Sequence, residues 1–110
     1  MWLGNSRGVK HSDKHDRDGE WTTKERWDFT WADMGLYDIP AVVETILKVS
    51  EADKLSIVGH SQGTSQVWYA LAKNQDYYAN KINRFVTLSS CLIPEFNDVL
   101  DYEQSVSYFL

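Results

Sequence analysis

The sequence predicts an α/β fold in which parallel strands are joined by crossover helices. Three observations predict it: an amphipathic stripe that runs to about residue 50, two short β-rich runs at 54–59 and 84–90, and a helical run at 62–73 between them. The order helix, strand, helix, strand implies two parallel strands with a right-handed crossover.

Each element has its own signal. Ile39, Val42, Val43, Ile46 and Leu47 recur at i, i+3, i+4, i+7 and i+8, one face of a helix. Asp38 is placed to cap its start, and Pro40 fits a first turn whose N–H groups lack partners anyway. In the first β-rich run Leu55, Ile57 and Val58 suit a sheet interior. The next helix puts Val67, Trp68, Leu71 and Ala72 on a shared side, and a shorter helix is expected around 77–81. Phe85, Val86 and Leu88 are the apolar members of the second strand.

Upstream the pattern is weaker. Residues 1–29 hold three of the five tryptophans and a charged run with neither helical nor strand period, so they read as a long loop. Asp16, Asp18 and Gly19 hint at a metal-binding turn, but no glutamate completes a calcium loop, and no metal is assigned. Thr30 with Asp33 three residues on is a capping signal for a short helical turn through Met34.

Composition excludes several classes. A length of 110 residues suits one small domain, and 43% hydrophobic with 25% charged residues is ordinary globular composition rather than a disordered tail. Eleven Lys and Arg against sixteen Asp and Glu leave a charge of −5, too acidic to collect nucleic-acid phosphates. Apolar runs such as Ala41 to Val43 fall far short of the roughly 20 residues that span a bilayer. The N-terminus lacks the charged-then-apolar plan of a secretory signal, which leaves the compartment unassigned. Cys91, the lone cysteine, permits no internal disulfide and reads as a small buried hydrophobe. Two strands and two or three helices cannot cover both faces and both edges of a parallel sheet, so the chain reads as a piece of something larger.

Gly59-His60-Ser61-Gln62-Gly63 matches G-x-S-x-G. With this composition the pattern arises by chance roughly 0.03 times per chain, and here it falls where a strand gives way to a helix. A strand-to-helix turn of this kind lifts a serine hydroxyl over the sheet and aims the next backbone N–H at a developing oxyanion. Ser61 is thus the candidate nucleophile and the Gln62 N–H the candidate oxyanion donor, with the glycines removing side chains that would collide across the bend. The plainer alternative is Ser61 as a helix N-cap.

A serine nucleophile needs a base. The histidines are His11, His15 and His60, and none follows Ser61. His60, beside the nucleophile in a tight turn, reads as packing, and His11 and His15 as loop residues. Glu95, Asp98 and Asp101 have no downstream histidine to orient and read as surface carboxylates.

Trp2-Leu3-Gly4-Asn5-Ser6-Arg7-Gly8, then Ser12 and His15, then Trp27, Phe29, Met34 and Tyr37-Asp38-Ile39-Pro40-Ala41, and finally Gly59-His60-Ser61-Gln62-Gly63-Thr64 resemble the acid lipases in order and spacing. These are the gastric and lysosomal type of α/β-hydrolase, and the likeness covers residues 2–90. The resemblance implies a partial α/β-hydrolase fold, with 1–96 as the central part of that domain and 97–110 as an unassigned tail or the beginning of a cap. It implies a serine hydrolase of triacylglycerols or steryl esters that needs no cofactor, with Ser61 as nucleophile and the Gln62 amide in the oxyanion hole. It further implies that the second oxyanion donor lies upstream, and the triad acid and histidine downstream, of an internal segment. His11 stands where the family has tryptophan, and Ser89-Ser90-Cys91-Leu92-Ile93-Pro94 replaces its alanine-rich turn. A non-catalytic remnant acting as a binding piece, and an acyltransferase or thioesterase using the same elbow, are the alternatives. Trp27 and Trp31 fit a loop anchor or a lipid-interface contact, and Asn5 and Arg7 fit hydrogen-bonded ties from the loop to the sheet.

Overall fold

The structure, a computed structural model, describes residues 1–15, 19 and 21–91. Asp16, Asp18, Glu95, Asp98, Asp101, residues 92–94 and the tail 97–110 lie outside the described residues.

In chain order the elements are α1 (Thr23–Arg26), α2 (Trp31–Asp33), a π-helical turn (Met34–Asp38), α3 (Ile39–Ser50), β1 (Leu55–His60), α4 (Gln62–Lys73), α5 (Gln75–Ala79) and β2 (Ile82–Leu88). The parallel α/β order is therefore as the sequence predicts. β1 pairs with β2 from Leu55↔Ile82 to His60↔Leu88, with one register shift after Leu55.

The 1–29 loop contains a helix the hydrophobic pattern does not reveal. The Thr22 hydroxyl accepts the Glu25 N–H at 3.3 Å, while the Thr22 N–H donates to Glu25 Oε2 at 2.8 Å, a reciprocal cap that holds α1. At Thr30 the N–H and hydroxyl both donate to Asp33 Oδ2, each at 2.8 Å, at the start of α2.

Asp38 does not cap a separate helix. Its backbone is helical (φ −76°, ψ −44°), and α2, the π turn and α3 run on without a break. A proline ring crowds the carbonyl one turn back in a regular helix, and the widened turn stands immediately before Ile39-Pro40, where that crowding would fall. The Asp38 carboxylate instead accepts Arg7 Nε at 2.9 and 3.0 Å, with the Arg7 guanidinium 5.6 Å from the Phe29 ring centre and 5.8 Å from that of Tyr37. Arg7 thus ties the loop to the helix and not to the sheet, and the exposed Asn5 is not part of the tie.

The core is Val43, Ala70 and Tyr78, with Ile39, Leu47, Leu55, Ile57, Leu71 and Ile82 packed around it. The α3 stripe lies on this side, and both α3 and α4 therefore cover the same face of the sheet. Period-two alternation then turns Ser56, Val58 and His60 of β1, with Arg84, Val86 and Leu88 of β2, to the other face. Val58 is 65% exposed, Val86 46% and Leu88 50%, so these three are not interior residues among the described ones.

The α4 stripe is also displaced. Val67 is buried, but Trp68 and Ala72 are exposed, and the buried set is Thr64, Ser65, Gln66, Val67 and Ala70. The first turn of α4 is enclosed on several sides: Gln66 Nε2 donates to Ser6 Oγ at 3.2 Å, and Gly35 of the π turn abuts the Gln66 carbonyl. α5 begins earlier than its apolar residues suggest because Asn74 Oδ1 accepts the Tyr77 N–H at 3.3 Å. Trp31 packs edge-on against Tyr69, ring centres 5.4 Å apart, and Trp27 lies tilted against Phe29 at 6.0 Å.

Candidate active site

Ser61 joins β1 to α4 with φ +50° and ψ −122°. An L-residue rarely adopts positive φ, and holding one there costs about 1–3 kcal/mol, so the surroundings must over-determine it. They do so from both sides of the residue. The Ser61 N–H donates to the Leu88 carbonyl at 3.0 Å, continuing the β1–β2 ladder by one bond. The Ser61 carbonyl accepts the Thr64 N–H at 2.9 Å and the Thr64 hydroxyl at 2.6 Å.

The serine side chain is exposed and makes no capping bond to the helix that follows. The N-cap alternative requires such a bond. Gln62 is the first residue of α4, where backbone N–H groups have no acceptor within the helix and the helix dipole is positive. An exposed serine and the first backbone amide of α4 are thus adjacent at one end of the sheet.

Of the two glycines, only one has the expected steric role. A Cβ on Gly59 would stand 3.1 Å from Phe85 Cε2 and 3.2 Å from the Gly63 carbonyl carbon and oxygen, whereas a Cβ on Gly63 meets nothing within 4 Å. The bend needs Gly59 bare because the chain folds back onto it, and Gly63 supplies the backbone it folds against.

A groove of about 880 Å³ opens beside Ser61, lined by Trp2, Leu3, Val42, Ile46 and Val58 among others. One wall is the edge of β1 that carries no strand among the described residues. His60 lines this groove and is exposed, so it is not the packing residue its position suggests. His11 and His15 lie elsewhere. His15 sits 4.1 Å from the Trp21 ring in a separate cavity of about 370 Å³ bounded by Arg7, Ser12 and Trp27. No set of three or more His, Cys, Asp or Glu side chains among the described residues could hold a metal, and no helix there is long and apolar enough to cross a membrane.

Cys91 is exposed rather than buried, and its backbone is gripped from α4. Its N–H donates to Thr64 Oγ1 at 2.9 Å and its carbonyl accepts the Ser65 hydroxyl at 2.5 Å. Sequence reasoning reached Thr64 only as the last residue of the matched block and did not reach Ser65. The available signal was their spacing, three and four positions after the serine, where a helix places them over the turn behind it.

A parallel β–α–β unit with a strained, outward-facing serine at its turn defines the α/β class that builds hydrolase elbows. The chain belongs to the α/β-hydrolase fold family, whose model matches residues 1–108. It is 41% identical over 95 residues to a probable lipase of Schizosaccharomyces pombe, a match spanning 86% of this chain and 20% of that protein. It is 42% identical over 89 residues to lipase member K of Mus musculus (81% of this chain, 22% of that protein). It is 36% identical over 89 residues to a lipase of Caenorhabditis elegans, with the same two coverages, 81% and 22%. The chain thus spans about a fifth of the length of the curated relatives it matches.

Proposed function

We propose that these residues are the nucleophile-bearing centre of a lipase-type carboxylic ester hydrolase. The observation that carries the reading is Ser61, held at positive φ between strand and helix with its hydroxyl exposed and uncapped. The lipase names of the relatives support a lipid ester, a triacylglycerol or a steryl ester, as substrate.

In this reading Ser61 Oγ attacks the acyl carbonyl carbon while its proton passes to a histidine base contributed from outside the described residues. The carbonyl oxygen becomes an oxyanion that the Gln62 N–H stabilises, joined by a second donor from the remainder of the fold. Collapse expels the alcohol, which leaves with the proton from the base, and water then hydrolyses the acyl-enzyme. The chemistry needs no cofactor. Trp27, 52% exposed, supports contact with a lipid interface.

The test is fluorophosphonate labelling of the full-length protein. Labelling mapped to Ser61 and abolished in Ser61→Ala is expected. Undiminished labelling of Ser61→Ala rejects the assignment, and an unreactive wild-type protein with no catalytic histidine in the gene favours the non-catalytic remnant. An acyl-acceptor panel separates hydrolysis from acyl transfer.

A further inference from the structure

The first turn of α4 carries two hydroxyl side chains that the proposed chemistry does not use. Thr64 is fully buried and Ser65 is 8% exposed. A helix start needs neither, and buried hydroxyls are retained where they have partners. The partners here are specific. Thr64 Oγ1 donates to the Ser61 carbonyl at 2.6 Å and accepts the Cys91 N–H at 2.9 Å, and Ser65 Oγ donates to the Cys91 carbonyl at 2.5 Å. Consecutive side chains of α4 therefore hold both polar groups of one residue that lies beyond the end of β2.

The path of the chain serves this contact. Ser89, directly after β2, has φ +49°, like Ser61 a non-glycine residue at positive φ, and turns the backbone so that Cys91 reaches α4. Ser61 and the 88–91 segment are thus joined twice: Ser61 N–H to Leu88 O, and Ser61 O through the Thr64 hydroxyl to Cys91 N–H.

The geometry points to Thr64 and Ser65 as positioning residues for the reaction at Ser61, forming a latch with Cys91 that holds the strained turn and so the aim of Ser61 Oγ and Gln62 N–H. The inference rests on Ser61 being the nucleophile. Loss of the Thr64 hydroxyl leaves the Ser61 carbonyl one donor poorer and the half-buried Cys91 N–H without its acceptor, and the turn relaxes by fractions of an ångström. Misplacement on that scale is felt in the chemical step rather than in substrate binding.

The experiment compares Thr64→Val, Thr64→Ser and Ser65→Ala in the full-length enzyme, reading kcat, KM and the rate of fluorophosphonate labelling on a soluble ester. Thr45→Val is the control, because its hydroxyl bonds the Ala41 carbonyl at 2.7 Å on an exposed helix face. Thr64→Val is expected to lower kcat and the labelling rate about 10- to 100-fold with KM changed less than about twofold, and Thr64→Ser to restore most of the rate. Ser65→Ala is expected to lower kcat less than Thr64→Val, and Thr45→Val not to lower it. A folded Thr64→Val enzyme with wild-type kcat overturns the inference, as does a Thr64→Ser variant as slow as Thr64→Val. If Thr64→Val does not fold, Ser65→Ala decides, and wild-type kcat there overturns it. Retained labelling in Ser61→Ala defeats the nucleophile reading instead, so the two failures are distinct.

Discussion

Arg7 and Asp38 form a two-pronged ion pair across 31 residues of chain, with Arg7 Nε 2.9 and 3.0 Å from the two carboxylate oxygens and the backbone N–H of Arg7 3.3 Å from Oδ2. Asp38 carries helical dihedrals and no capping bond, so its role is tertiary. The Arg7 guanidinium is pushed above its ordinary value, first by the hydrogen bond to Asp38.

Removing Asp38 tests that role. Asp38→Ala is expected to cost about 1–2 kcal/mol, a charge-assisted bond discounted for partial exposure, read from the urea midpoint. Asp38→Asn is the sharper variant. Asparagine caps helices as well as aspartate but cannot pair both oxygens with Arg7, so wild-type stability in Asp38→Asn would return the residue to a capping role.

Glycine replacements separate three backbone environments. A Cβ on Gly35 would lie 2.7 Å from the Gln66 carbonyl oxygen, a contact between backbones that no side-chain rotation relieves. Gly35→Ala is expected to destabilise by about 1–3 kcal/mol. Gly59→Ala should also destabilise, since it meets Gly63 backbone at 3.2 Å, whereas Gly63→Ala, which meets open space inside a helix, should be neutral or stabilising. Thermal melts that rank Gly63→Ala with Gly35→Ala would contradict the elbow packing.

Glu44 gives a pH dependence. Its carboxyl is held below the usual value, first by the hydrogen bond from Lys81 and then by that from the Tyr77 hydroxyl. A carboxylate lowered on folding stabilises above its unfolded pKa, about 4.3, and that contribution is lost as pH falls through the lower folded value. Wild type and Glu44→Gln are therefore expected to differ in melting temperature near neutral pH and to converge in acid. A constant gap down the pH series would exclude the linkage.

At the alkaline end Tyr77 behaves in the opposite sense. Burial, then the bond to Glu44, pushes its phenol up to about 12. Because the folded value lies above the unfolded one, the stability it contributes is whole below about pH 10 and drains away as pH rises toward 12. Phenolate absorbance is expected to show a late-titrating tyrosine that disappears in Tyr77→Phe.

Cys91 supplies a chemical check. The exposed thiol is expected to react with iodoacetamide in the native protein at a rate close to that of the unfolded chain. Protection until denaturation would mean that the end of β2 is covered.

How far the sequence reveals this arrangement depends on the range of the interactions involved. The α3 stripe through Val43, the parallel βαβ order and the turn at Ser61 follow from local periodicity and from glycine chemistry, which act within a few residues. The face taken by Val58, Val86 and Leu88 does not, because hydrophobic strand residues read alike whether covered or bare, and only the placement of α3 and α4 decides between the two. Asp38 looks like a cap because its true partner, Arg7, is remote in sequence. The Thr64 to Cys91 contact is hidden for the same reason, spanning 27 residues between two segments with no shared pattern.

The bond from the Ser61 N–H to the Leu88 carbonyl also has a temporal consequence. The glycine-framed turn is encoded in five consecutive residues, yet a partner that secures it is added to the growing chain 27 positions later. On a ribosome this elbow cannot be completed when its own codons are read; it waits for β2 to emerge and dock, so the strained turn matures only after the strand that restrains it has been synthesised.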